Sequence, residues 1–187
     1  MKTILTILFI AIATTTHAQQ IYSTGTVQGV NHTYIVKTRD FPSNNPLVSI
    51  ANTQNKTSGQ RMKSNRLDYV DPVLLGVKIN NTALNNIFKE EIEPSVLQRL
   101  AANPQNYVGL IINFKQDGSV LDVTFSTQQT STITPRIFEK IEDRIKSEIT
   151  ATFNQDKIPG IGAPAYTTFN FITKSYIIYF YKLKQVQ

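Results

Sequence analysis

Residues 108–126, VGLIINFKQDGSVLDVTFS, carry the sharpest alternation of apolar and polar positions in the chain. Two runs of period two meet at Asp117-Gly118, and that period is what a strand with one buried face requires. An Asp-Gly pair between such runs predicts a two-residue type I′ turn, with positive φ at both central residues. The turn sets a register in which Gln116 faces Ser119, Phe114 faces Leu121, Ile112 faces Val123 and Leu110 faces Phe125. The apolar pairs share one face. Asn113 with Asp122, Lys115 with Val120 and Ile111 with Thr124 share the other. A slip of one residue would turn every side chain to the wrong side. The apolar face needs a cover.

The pattern on either side of the hairpin has the period of a helix. Thr134 is suited to an N-cap and Pro135 to the first helical position, opening a helix through about Phe153. Ile137, Ile141, Ile145 and Ile149, flanked by Phe138 and Phe153, form an apolar stripe that can lie on a sheet. Glu142 and Lys146 are expected on the outer face as an i,i+4 ion pair. Upstream, Ala83, Leu84, Ile87, Phe88 and Ile92 recur at helical spacing behind Thr82, a possible N-cap. Pro94 divides that stretch into helices at about 83–91 and 94–102. After a Gly/Pro loop at 156–164, residues 166–183 read as one or two strands crowded with aromatics. The expectation is an α+β fold with a mostly antiparallel sheet, helices packed on one face, and a second half in α-β-β-α-β order.

The first part of the chain is less patterned. Residues 19–81 are rich in Asn, Thr, Ser and Gln, with short strand-like pieces at 32–39, 47–51 and 71–79 and a turn at 41–46. This stretch reads as a divergent strand-rich segment packing on a main domain at 82–187. Residues 1–18 have another character. Lys2 precedes an apolar run over 4–13, and Thr16 and Ala18 are small residues at the −3 and −1 positions of a cleavage site. That is the pattern of a secretory signal peptide cut between Ala18 and Gln19. Its apolar run is shorter than the ~20 residues of a membrane span. The chain is therefore expected to be exported, in the periplasm or outside the cell, with no stable membrane insertion after cleavage. Removing residues 1–18 leaves 169 of 187, and loss of Lys2 leaves 18 Lys/Arg against 13 Asp/Glu, or +5. A chain of that length suits one ordinary domain. With no Cys it has neither disulfide staples nor thiol chemistry. The mild positive charge favours weak attraction to anionic surfaces but lacks the clustered basic face of a nucleic-acid binder.

Helix, hairpin, helix and closing strand is also the element order of the TonB carboxy-terminal domain. Residues 82–183 resemble that family in Ile112-Asn113-Phe114, the Asp117-Gly118 turn and Val120-Leu121-Asp122-Val123. The resemblance implies a module that recognises partner peptides along a sheet edge. The Pro-rich spacer of the energy transducers is missing, and Thr152-Phe153-Asn154 stands where the family tends to show an aromatic-x-Pro ending. In texture the chain is similar to small exported proteins of unknown function from Gram-negative bacteria.

Few residues could carry chemistry. His32 is the one His beyond the signal segment, in a polar strand with no Gly-x-Ser-x-Gly elbow anywhere, and is expected to be exposed. One His and no Cys make no zinc cluster, no glycine-rich phosphate loop is present, and no cofactor or metal is expected. Asp68 and Asp71 could form a carboxylate pair, although a turn before Pro72 explains them as well. Glu90, Glu91 and Glu93 could supply an acid and a base, or simply a solvated helix end. A carboxylate-dependent envelope hydrolase acting through Asp68, Asp71 or Glu93 is thus one reading. Weak polyanion binding through the basic loop at 56–66, with Lys56, Arg61, Lys63 and Arg66, is another. The preferred reading has no catalytic residue: a protein or peptide of the cell envelope binds a sheet edge or aromatic surface at Tyr176, Tyr179 and Tyr181, where the closing strand is apolar on both faces.

Overall fold

A computed structural model describes residues 22–39, 46–154 and 167–184. The expected cleavage site at Ala18 and Gln19 and the loop at 156–164 lie outside these residues. Strands β1 (Gly25–Gln28), β2 (Thr33–Arg39) and β3 (Leu47–Asn52) precede two helices, α1 (Asn81–Glu91) and α2 (Pro94–Ala101). Strands β4 (Tyr107–Phe114) and β5 (Val120–Gln128), helix α3 (Pro135–Glu148), strand β6 (Ile172–Tyr179) and a short helix α4 (Phe180–Lys184) complete the order. All six strands form one antiparallel sheet in the order β1-β2-β3-β5-β4-β6. The fold is α+β, with its helices on one face.

The first three strands extend the sheet edge to edge, β3 pairing with β5. Rows of side chains therefore run across the whole sheet. Val36, Ile50, Phe125, Leu110 and Tyr176 make one row on the helix side. Phe138 of α3 packs on that row, its ring centroid 4.7 Å from that of Phe125. Ile141 and Ile145 are fully buried beside it. The Ile137–Ile149 stripe does cover the hairpin.

Four expectations change in detail. The hairpin tip is not a type I′ turn: no residue but Gly118 takes positive φ there, at 86°. Lys115 N–H donates to the Ser119 carbonyl at 2.8 Å and Gly118 N–H to the Lys115 carbonyl at 3.0 Å, a three-residue loop with a Gly bulge. Phe114 consequently pairs with Val120, and Leu121 bulges out, which returns the strands to the expected pairs Asn113–Asp122, Ile112–Val123 and Leu110–Phe125. Residues 71–79 are not a strand. Asp71 Oδ1 accepts from Val73 N–H at 2.9 Å and opens a 3-10 turn, Pro72–Leu75. Asn80, not Thr82, caps α1, its side chain accepting from Ala83 N–H at 3.0 Å. Helix α3 stops at Glu148 because the next residues turn to the sheet. Ala151 N–H donates to Gly118 O at 2.9 Å, and Thr152 exchanges hydrogen bonds with Lys78.

Glu142 is the largest departure. It is fully buried, not on the outer face. Tyr34 Oη donates to its carboxylate at 2.8 Å, Asn52 Nδ2 at 3.2 Å, and Lys146 Nζ at 2.5 Å. The hydroxyl of Tyr34, itself buried, is pushed up by burial and by the neighbouring Glu142 charge.

Candidate functional site

The face of the sheet turned away from the helices is open. Its rows are Ile35, Ala51, Thr124, Ile111 and Ser175, then Lys37, Ser49, Ser126, Gly109 and Ile177. Ala51 and Thr124 between Ile35 and Ile111, and Ser49, Ser126 and Gly109 between Lys37 and Ile177, leave a shallow trough of small side chains. Loop 53–72, which includes the basic stretch, folds over one end and converts it into a groove of about 690 Å³. The size is that of a small-molecule site.

A hydrogen-bond chain through three strands pins this loop. Asp122 of β5 accepts from Thr57 N–H at 2.8 Å. Asn113 of β4 donates to Thr57 Oγ1 at 2.6 Å and accepts from Thr173 of β6 at 2.7 Å. Thr57, Asn113 and Asp122 are buried, so each bond is protected from water. Asn55 Nδ2 donates to the Val123 carbonyl at 2.8 Å, and Lys63 N–H to Asn170 Oδ1 at 2.8 Å. The basic loop is thus a fixed roof. Among its described lining residues the groove has Lys37 and Arg61 and no Asp or Glu. Neither cation has an ion-pair partner among the described residues.

The three candidate tyrosines do not form one surface. Strand β6 ends at Tyr179, so residues 180–183 are helical where a strand was expected. Phe180 and Leu183, three apart and both buried, turn α4 onto α2. Tyr176 lies on the helix side opposite Leu110 and is half-buried; burial pushes its hydroxyl up to about 12. Tyr179 faces the other way and pairs with Tyr107, ring centroids 6.1 Å apart. Tyr181 continues the cluster at 5.8 Å from Tyr179, and Lys182 Nζ stands 5.1 Å from the Tyr179 centroid. Tyr179 and Tyr181 are half-buried, and Ile177 beside them is 55% exposed. No described strand lies beyond β6, so this cluster borders a sheet edge.

None of the candidate acids lines the groove, although Asp68 and Asp71 belong to the loop that roofs it. Asp71 caps the 3-10 turn, Asp68 is exposed on the loop, and Glu93 begins α2 without a side-chain cap bond. Glu90 and Glu91 clamp Arg144 at 2.7 and 3.3 Å, tying α1 to α3. His32 is not an exposed strand residue; its side chain is 22% exposed and meets Asp143 at 3.1 Å.

His32, Asp143 and Glu139 converge closely enough to suggest a cation site. The bonding of Glu139 argues otherwise. Its carboxylate accepts the backbone N–H groups of Val30 at 2.5 Å, Asn31 at 2.8 Å and His32 at 3.4 Å. Three amides take most of the acceptor directions of this carboxylate and leave little for a metal. Burial raises the Glu139 carboxyl, but those amide bonds outweigh it and hold the group below its usual range. A lowered folded value gives stability that is present above the unfolded pKa of about 4.3 and lost as pH falls through the folded one. Glu139→Gln should cost about 1–2 kcal/mol at pH 7. In urea melts its gap to the parent should narrow below about pH 4; a gap that stays constant to pH 3 would show that charge is not what holds the turn.

These features define an α+β protein whose single sheet is covered by helices on one side and open on the other, with a loop-roofed cationic groove. No protein-family model matches the chain, and no curated protein matches it. Among solved structures it is similar to a DUF5043 family protein from Bacteroides uniformis, with a TM-score of 0.67 over 87% of this chain and 89% of that one. Sequence identity is 11%, so the likeness is one of fold alone. Helices, hairpin, helix and strand follow one another in the expected order from Asn81 to Tyr179, inside a sheet widened by β1, β2 and β3.

Proposed function

We propose that this is an exported, non-enzymatic protein of a Gram-negative envelope that binds a protein or peptide partner at the β6 edge. The observation that carries the reading is the cluster of Ile177, Tyr179 and Tyr181 with Tyr107 beside a strand edge on which no described strand pairs. An edge offers backbone N–H and C=O groups in a row, and adjacent rings supply apolar area with a polar tip. Peptide addition to an edge uses both. The TonB-like order of elements supports the same mode, and the amino-terminal pattern supports export.

A photoreactive residue at position 177, in the strain of origin, should crosslink to one envelope protein far more strongly than the same residue at Val30, which is also exposed. Ile177→Asp should abolish crosslinking from position 181 while changing stability by less than about 0.5 kcal/mol. The exported protein should begin at Gln19 by mass spectrometry. Equal crosslinking from 177 and 30 would remove the β6 edge as the binding surface.

A further inference from the structure

We propose that the groove beneath loop 53–72 is a second, separate site, built for a small organic anion with an apolar body. The charge argument comes first. Acids of the described chain concentrate on the helical layer, where Glu90, Glu91, Glu142, Asp143 and Glu148 each meet a cation or His32. The open face has no such balance. Among the described residues its one strand carboxylate, Asp122, is buried and held by Thr57 N–H, and Asp68 and Asp71 on the roofing loop are exposed and do not line the groove. Lys37 on the floor and Arg61 on the roof are exposed and unmatched among the described residues, on one groove with no acid among its described lining. Two such cations favour a carboxylate or sulfonate, which accepts from both.

The second argument is the lining. Ile35, Met62, Tyr69, Ile111 and Phe171 give apolar contact, and Tyr69 is 61% exposed at the rim. A volume near 690 Å³ suits one small molecule. Because the Asp122–Thr57–Asn113–Thr173 chain fixes the roof, little ordering is needed when a ligand enters. Ile177, Tyr179 and Tyr181 do not line this groove, so the site does not rest on the partner-binding reading.

Anilinonaphthalene sulfonate, an anion with an aromatic body, reports on such a site by its emission. One molecule should bind per chain and be displaced by octanoate at least about tenfold better than by octanol, the ratio expected when a charge-assisted contact is lost. The double variant Lys37→Gln/Arg61→Gln should weaken octanoate by about the same factor, leave octanol unchanged and melt with the parent, since neither side chain has an ion-pair partner among the described residues. Raising the salt should weaken octanoate in the parent and not in the variant. Equal displacement by octanoate and octanol would overturn the proposal. So would displacement that the double variant does not alter. Sedimentation with phosphatidylglycerol vesicles without octanoate displacement would mean that the basic loop reads a lipid surface, and would overturn it also.

Discussion

Glu142→Ala should lower the unfolding free energy by about 3 kcal/mol and the melting midpoint by roughly 6–12 °C. The carboxylate is fully buried, and three donors depend on it. Lys146 is a third exposed and can turn to water when its partner goes. Tyr34 and Asn52 are buried on β2 and β3 and cannot, so the cost falls on two orphaned donors in a space left empty. Tyr34→Phe, which removes one donor and leaves the charge solvated by the others, should cost only about 1 kcal/mol. Lys146→Met should cost more than Tyr34→Phe, because it strands a charge. Denaturant melts of the three variants give the order directly. A triple variant, Tyr34→Phe/Asn52→Leu/Glu142→Met, should recover most of the loss if unsatisfied polar groups are the cause. If Glu142→Ala costs less than about 1 kcal/mol, the network is ornamental and α3 is held by its isoleucines alone.

The inward face of Glu142 could be read from helix angles, although its partners on β2 and β3 could not. At about 100° per residue, Glu142 lies about 40° from Phe138 and about 20° from Ile149 on the helix wheel. Counting isoleucines every four positions hides this, because an i+4 stripe drifts around the helix and Ile137 ends up at its margin. Phe138 marks the true centre. The hairpin shows another kind of limit. Its strand register follows from the pairing of apolar residues, and Leu110–Phe125 and Ile112–Val123 obey it. Nothing local distinguishes a type I′ turn from a Gly bulge compensated at Leu121, since Val120 and Leu121 are equally apolar. What selects the bulged form is tertiary: the tip is held by Ala151, thirty-odd residues on. The groove was illegible for the same reason. Thr57, Asn113, Asp122 and Thr173 come from one loop and three strands, and only the sheet order brings them together. The basic loop could be read as charge, whereas its role as a roof could not. At β6, an aromatic run continued the strand pattern past Tyr179, and the burial of Phe180 and Leu183 against α2 overrode it.

The hairpin tip gives the second large effect. Gly118→Ala should destabilise the protein by about 3 kcal/mol or more. Part of this is local, since a φ of 86° at a residue with a Cβ costs about 1–2 kcal/mol. The larger part is contact. A Cβ on Gly118 would stand 2.1 Å from the carbonyl oxygen of Ala151, a backbone atom that cannot rotate away. The tip must then lift off residues 150–152, breaking the bond from Ala151 N–H to Gly118 O. Gly59→Ala separates the two terms: its φ is 74°, but its Cβ would meet nothing within 4 Å, so it should cost only the backbone strain. The disturbance should also travel. Residues 150–154 are bonded to Lys78 and Leu75, and the turn containing Leu75 begins at Pro72 in the groove wall. Gly118→Ala should therefore weaken octanoate binding without touching Lys37 or Arg61, while Gly59→Ala, on the groove's own rim, tests whether the roof tolerates a methyl group. Equal stability losses for the two variants would mean that Ala151 yields freely, and that the tip does not brace the segment behind the groove.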